Sequence, residues 1–252
     1  LIGQIWEDRP EMSREPVFAL DIKYAGETTE SKLRRIREVM KECGATSHVL
    51  TTLDDICWTL NIRGNDIEFF PLVLSYLIIT EKHVKLYIDE SKLSEEIKAG
   101  FAKDGITVHP YNDIYEDIRH LGREEVVLID PAKLNYALYS SIPEEVKKAE
   151  RANPEMLFKA MKNPVEIENI RRAEIKDSVA HVKFMKWLKE NIGKTKITEM
   201  SASDKLDEFR MEMENFIHPS FEPISSFGEH CAMCHYTSSP ETDVELCEGS
   251  LF

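Results

Sequence analysis

Apolar residues recur along the first part of the chain in two rhythms. Leu33, Ile36, Val39, Met40 and Cys43 fall at helical spacing, and Gly44 is placed to end that helix. Residues 47–52 read as a short strand and 53–64 as a short helix. Residues 71–80 form an apolar run rich in β-branched and aromatic types, which predicts a strand covered on both faces. Val84, Leu86 and Ile88 alternate just after it, so 83–89 pairs with that run across Thr80–Lys82. A helix over 91–105, a strand over 106–110, a helix over 112–122 capped by Asn112 and a strand over 125–131 continue the alternation. This is an α/β pattern. A polar lead-in, residues 1–29, precedes it.

Near residue 152 the rhythm changes and long helices take over. Asn163, Pro164 and Glu166 have the order of a helix start: a cap, a proline at the first helical position and a carboxylate able to reach back. The helix is expected to run to about Asn191, with Ile175, Val179, Val182 and Met185 on one stripe. Leu206, Phe209, Met213 and Phe216 mark a second helix, and residues 220–236 read as strand material with turns. The expected domains are therefore 1–152 and 153–252.

Composition narrows the class. A net charge of −14 over 252 residues offers no basic face for nucleic acid and disfavours an anionic membrane surface. No apolar run reaches the length of a membrane span, no secretory leader is evident, and the expected compartment is the cytoplasm. Five irregularly spaced cysteines fit free thiols in a reducing compartment better than a disulfide framework. Leu1 and Phe252 both read as cut ends.

Most catalytic signatures are missing. There is no His-Glu-x-x-His, no Gly-x-Ser-x-Gly and no phosphate-binding glycine loop. Asp54 and Asp55 are most simply carboxylates at a helix start. Arg63, before Gly64, reads first as a structural salt bridge. His109, His120, His181 and His218 have no ligand spacing. Cys231-x-x-Cys234-His235 matches a haem c attachment site as a bare motif. On a strand, however, residues three apart lie about 10 Å apart and face opposite ways, which forbids a disulfide or a shared zinc. Cys231 and Cys234 are then expected to be small buried hydrophobes.

Ordered stretches of the chain resemble the large, three-domain aminopeptidase P (Xaa-Pro aminopeptidase) of the creatinase/prolidase superfamily. They are residues 5–10, 17–33, 50–67 and 71–80, then 161–188, 205–210, 220–228 and 235–242. The resemblance implies an α/β creatinase/prolidase N-terminal-like domain, followed by the first part of an α+β pita-bread catalytic domain. It implies a metallopeptidase that releases the N-terminal residue from peptides with proline second. It also implies two divalent metal ions, usually manganese, in the full-length enzyme, and a homodimer. By the family pattern the metal ligands lie past Phe252, so no metal is expected in this chain, and the chain alone is expected to be inactive. His235, of the His-Tyr pair, is implied to be the catalytic and substrate-binding histidine, with no haem. The alternative is a pita-bread module that has lost its metals and serves protein interaction.

Overall fold

The computed structural model describes residues 5–252, and the chain divides after Glu166 into two compact units. In the first unit β1 (Phe18–Ala19) is followed by α1 (Ile22–Ala25), α2 (Thr29–Glu42), β2 (Ser47–Leu50), α3 (Leu53–Leu60) and β3 (Ile62–Arg63). Then come β4 (Tyr76–Thr80), β5 (Val84–Tyr87), α4 (Glu95–Lys103), β6 (Ile106–His109), α5 (Ile114–Arg119), β7 (Val126–Ile129), α6 (Tyr136–Ser141), β8 (Lys147–Glu150) and α7 (Pro154–Ala160). β1 and β3 form a small antiparallel pair. The main sheet has the order β6-β5-β4-β2-β7-β8, with β4 antiparallel to both neighbours and the remaining pairs parallel.

Side-chain alternation explains why the strands read as unbroken apolar runs. In β4, Leu77 and Ile79 point into one core with Leu33, Ile36 and Met40 of α2, Ile56 and Leu60 of α3, and Phe101 of α4. Ile78 points the other way, into a second core with Ile114 and Ile118 of α5 and Leu138 of α6. β7 divides likewise, with Leu128 on the first face and Val127 and Ile129 on the second. A sheet covered by helices on both faces demands apolar residues at every position of its inner strands.

The first unit extends past the boundary expected near residue 152, because α7 packs on α2 and α3 and is tied down by polar groups. The Asn153 N–H donates to Asp130 Oδ2 at 3.2 Å, and its side-chain amide approaches Thr52 Oγ1 at 3.3 Å. Lys159 pairs with both Asp54 and Asp55. His48, fully buried in β2, reaches the Leu128 carbonyl with Nδ1 at 3.0 Å and Glu155 Oε2 with Nε2 at 3.2 Å. Burial works against a charged ring, but the Glu155 carboxylate and hydrogen bond, the Leu128 carbonyl and Asp55 outweigh it, and the His48 pKa is raised.

The second unit is built from α8 (Pro164–Asn191), whose first residues belong to the first unit, and α9 (Glu199–Met211). The expected capping box at its start is present: Asn163 Oδ1 accepts the Glu166 N–H at 3.0 Å, and Glu166 Oε2 accepts the Asn163 N–H at 2.9 Å. The Asn163 amide also donates to the Ala25 carbonyl at 2.8 Å. Gly26 makes this approach possible. Its φ is +67°, and a Cβ there would lie 2.3 Å from Asn163 Oδ1. Phe184, Ile197, Ala202 and Leu246 form a small core with Trp187, Leu206 and Phe209 around them.

Two expectations from the sequence are corrected in the helices, and one is qualified. Asn112 does not cap α5; it sits inside a 3-10 turn, Tyr111–Asp113, that leads into the helix. Met213 and Phe216 lie beyond the end of α9, where Asn215 takes a left-handed φ of +67°. The stripe of Ile175, Val179, Val182 and Met185 lies on α8 as expected, yet all four are exposed, between 44% and 65%. Ala180 and Phe184, on the other side of the helix, carry the packing.

Candidate active-site segment

The segment expected to carry the chemistry, residues 220–236, contains no strand. Gly228–Ala232 is a 3-10 turn, and Cys234 and His235 form a tight turn after it. Cys231 and Cys234 are consequently exposed, not buried, and the strand argument applied to them does not hold. The apolar spacing needed for a ladder is broken here by Gly228, Glu229 and His230. Cys43, Cys57, Cys231, Cys234 and Cys247 are all free thiols, with Cys57 buried and its pKa pushed up to about 11, by burial foremost.

His235 has a φ of +56°, a left-handed conformation rare for a residue with a side chain, and it is exposed. Its neighbour Tyr236 is buried. The Tyr236 hydroxyl donates to Glu199 Oε2 at 2.7 Å, with Thr242 Oγ1 3.2 Å away. Glu199 is the first residue of α9 and is wholly buried. Its Oε1 accepts the Phe227 N–H at 2.6 Å and faces His230 Nδ1 at 2.9 Å, and its carbonyl accepts the Ser225 hydroxyl at 2.5 Å. The His230 and Tyr236 rings lie 4.5 Å apart between centroids. Desolvation pulls the Glu199 pKa upward, but the donors Tyr236, His230 and Phe227 win and hold it below the usual carboxylate value. The Tyr236 pKa is raised, by burial first and by the Glu199 carboxylate as well.

The remaining sequence candidates are structural. Asp55 accepts from the Thr52 hydroxyl at 2.6 Å and pairs with Lys159, which binds it to α7 and leaves no acid pair poised for proton transfer. Among the described residues Arg63 forms no salt bridge. Its Nη1 donates to the Cys57 and Ile62 carbonyls at 3.0 and 2.8 Å, so it clamps the end of α3 to β3. His109 meets Thr107 Oγ1 at 2.9 Å, His120 the Glu116 carbonyl at 2.9 Å and His218 the Pro219 carbonyl at 2.7 Å, while His181 is exposed. A cavity of about 590 Å³ in the first unit, lined by Met12, Ile88, Lys92 and Tyr111, has one of these candidates, His109, in its wall. Glu199 and His230 were missed by the sequence reading. Their partners lie up to 37 residues away, where no local pattern reports them.

Residues 8–166 match the creatinase/prolidase N-terminal domain, and residues 168–252 match metallopeptidase family M24. The chain belongs to the creatinase/prolidase family. Its α/β N-terminal domain is followed by the start of an M24 catalytic domain. It is similar to the Xaa-Pro aminopeptidase app-1 of Caenorhabditis elegans, 35% identical over 94% of this chain and 39% of that protein. It is similar also to Xaa-Pro aminopeptidase 1 of Dictyostelium discoideum, 36% identical over 96% of this chain and 39% of that one. The crystal structure of the C. elegans enzyme, described as cytosolic with a di-nuclear active site, superposes with a TM-score of 0.93 at 33% identity. That superposition covers 99% of this chain and 42% of the other. An X-Pro aminopeptidase from Thermotoga maritima, 15% identical with a TM-score of 0.62, shares the fold. The chain thus spans about two fifths of the length of these Xaa-Pro aminopeptidases.

The fit of a metal pair to this creatinase/prolidase chain can be tested directly. Among the described residues no group of three or more His, Cys, Asp or Glu could hold a metal ion. The one buried carboxylate beside the candidate segment, Glu199, already accepts three hydrogen bonds. The residues present do not fit a two-metal centre. No helix of the described residues is long and apolar enough to cross a membrane.

Proposed function

We propose that the complete protein to which these 252 residues belong is an Xaa-Pro aminopeptidase. It would remove the N-terminal residue from peptides with proline in the second position. The observation that carries this reading is the superposition on the C. elegans X-prolyl aminopeptidase over 99% of the chain, at 33% identity. The two metals, which we take to be manganese, belong in this reading to parts of the protein outside these residues. A homodimer belongs to the same reading, and the working compartment is the cytoplasm.

A bond preceding proline is a tertiary amide with no N–H and a rigid ring. Recognition must then work through shape and through hydrogen bonds to the carbonyl and the free amino end. His235 is our candidate for one of those bonds. Its ring is exposed and carries no hydrogen bond among the described residues, and an imidazole can donate or accept near neutral pH. The exposed apolar stripe of α8 supports the same reading, since a surface of that kind calls for a covering partner, here the remainder of an M24 domain.

The test is hydrolysis of a fluorogenic Xaa-Pro peptide by the full-length, metal-loaded enzyme. His235→Ala should lower kcat about 100-fold or more, the scale for loss of a positioned donor or acceptor, with metal content unchanged. Full activity in that variant removes the role given to His235. A metal-free full-length protein with no hydrolysis under any metal favours the non-catalytic interaction module.

A further inference from the structure

The loop that presents His235 is held chiefly by one carboxylate. Glu199 binds the Phe227 N–H at the start of the loop, His230 in its middle and the Tyr236 hydroxyl at its end. Among the described residues the backbone bonds within the loop are short-range, His230 N–H to the Phe227 carbonyl and Met233 N–H to the His230 carbonyl, besides Gly228 N–H to the Leu251 carbonyl, and the Cys231 thiol adds weak bonds to the Ser226 and Leu251 carbonyls. The anchor itself is rigid. Thr198 and Ser201 cap α9 reciprocally, the Glu199 N–H donates to the Val244 carbonyl at 3.1 Å, and the Met200 N–H donates to Asp243 Oδ1 at 3.0 Å. A site built on a capped helix start is set more tightly than one set by loop residues alone.

His235 immediately precedes Tyr236. Once the Tyr236 ring is fixed by its hydroxyl, and set at a tilt against the His230 ring, the backbone entering it has little freedom. The left-handed conformation of His235 is the cost of that closure, and a strained residue persists only where its surroundings determine it. We propose that Glu199 is a positioning residue for His235, acting through Tyr236 and His230. The same contact places a proton on His230 Nδ1, because a carboxylate can only accept. This proposal rests on the role given to His235 above.

The experiment uses the full-length, metal-loaded enzyme and a double-mutant cycle. Tyr236→Phe deletes only the hydroxyl and keeps the buried ring. It should lower kcat about tenfold with KM little changed, as expected for a residue that orients a functional group. Glu199→Gln keeps an acceptor for Phe227 and a donor for the Tyr236 oxygen, so it should lose less than Glu199→Ala. In the His235→Ala background, Tyr236→Phe should cost nothing further, since what it positions is gone. Tyr236→Phe at full activity, or a loss of the same factor in both backgrounds, overturns the proposal while leaving His235 in place. His235→Ala at full activity overturns the role of His235 and the proposal with it. A readout independent of turnover is the mobility of selectively labelled His235. Its order parameter should fall in Tyr236→Phe from about 0.85 toward 0.6, and an unchanged value counts against the proposal even if Glu199 variants do not fold.

Discussion

The two units bury their apolar residues in very different measure. In the first, Ile36, Leu50, Leu77 and Leu86 are wholly buried between a sheet and its helices. In the second, Ile175 and Val182 stand 65% exposed on a 28-residue helix, and the core is a handful of side chains between α8 and α9. Polar ties follow the same division. The first unit hides whole ion pairs, His48 with Glu155 and Lys92 with Asp66, inside a packed interior. The second unit has a single buried carboxylate, and it serves the loop around it. One region is held by area and the other by a few directional bonds, so each should fail under a different perturbation.

The largest effect is expected where a buried charge loses its partner. Glu155→Ala should destabilise the first unit by about 4 kcal/mol, because His48 is left in a sealed site without its carboxylate. Replacing both residues by leucine should recover most of that loss. Denaturant unfolding of the single and double variants checks this. Leu77→Ala comes next, at about 3 kcal/mol for a cavity in a close-packed core. The matched change on the open helix, Val182→Ser, should stay within about 0.5 kcal/mol. If the two changes cost the same, the contrast between the units is wrong.

Acid and base should separate the units as well. The raised pKa of His48 means its contribution is fully present below its ordinary value of 6.5 and fades as pH rises through the raised one. The lowered pKa of Glu199 works in reverse. Its contribution is present above the ordinary 4.5 and fades as pH falls through the lowered value. The first unit should therefore lose stability on the alkaline side and the second on the acid side. Tryptophan fluorescence of Trp58 and of Trp187, each kept alone, follows the two melts.

Much of the first unit was legible in the sequence, for a physical reason. β2, β4, β5 and β7 are inner strands whose alternation reports the two cores directly, and β6, at one edge, still turns Ile106 and Val108 toward the first core. β8, Lys-Lys-Ala-Glu, was missed because it is an edge strand, and edges carry charge that hides the pattern. α7 was placed on the wrong side of the boundary because its ties to Asp54, Asp55 and His48 cross about a hundred residues. His235 became a candidate through the His-Tyr pair and the surrounding resemblance. Its support did not, since Glu199 looks like any acidic residue at a helix start. The cysteines were misread because a strand was assumed where the chain makes a 3-10 turn.

The contact between Gly26 and Asn163 constrains what substitutions the chain can accept over time. A side chain at 26 would strike the Asn163 amide and adopt a disfavoured φ. A smaller residue at 163 could relieve the clash, but it would give up both the cap of α8 and the bond to Ala25. Neither position can drift alone without loss, so the two should vary together or not at all. Their joint state fixes the first turn of a long helix.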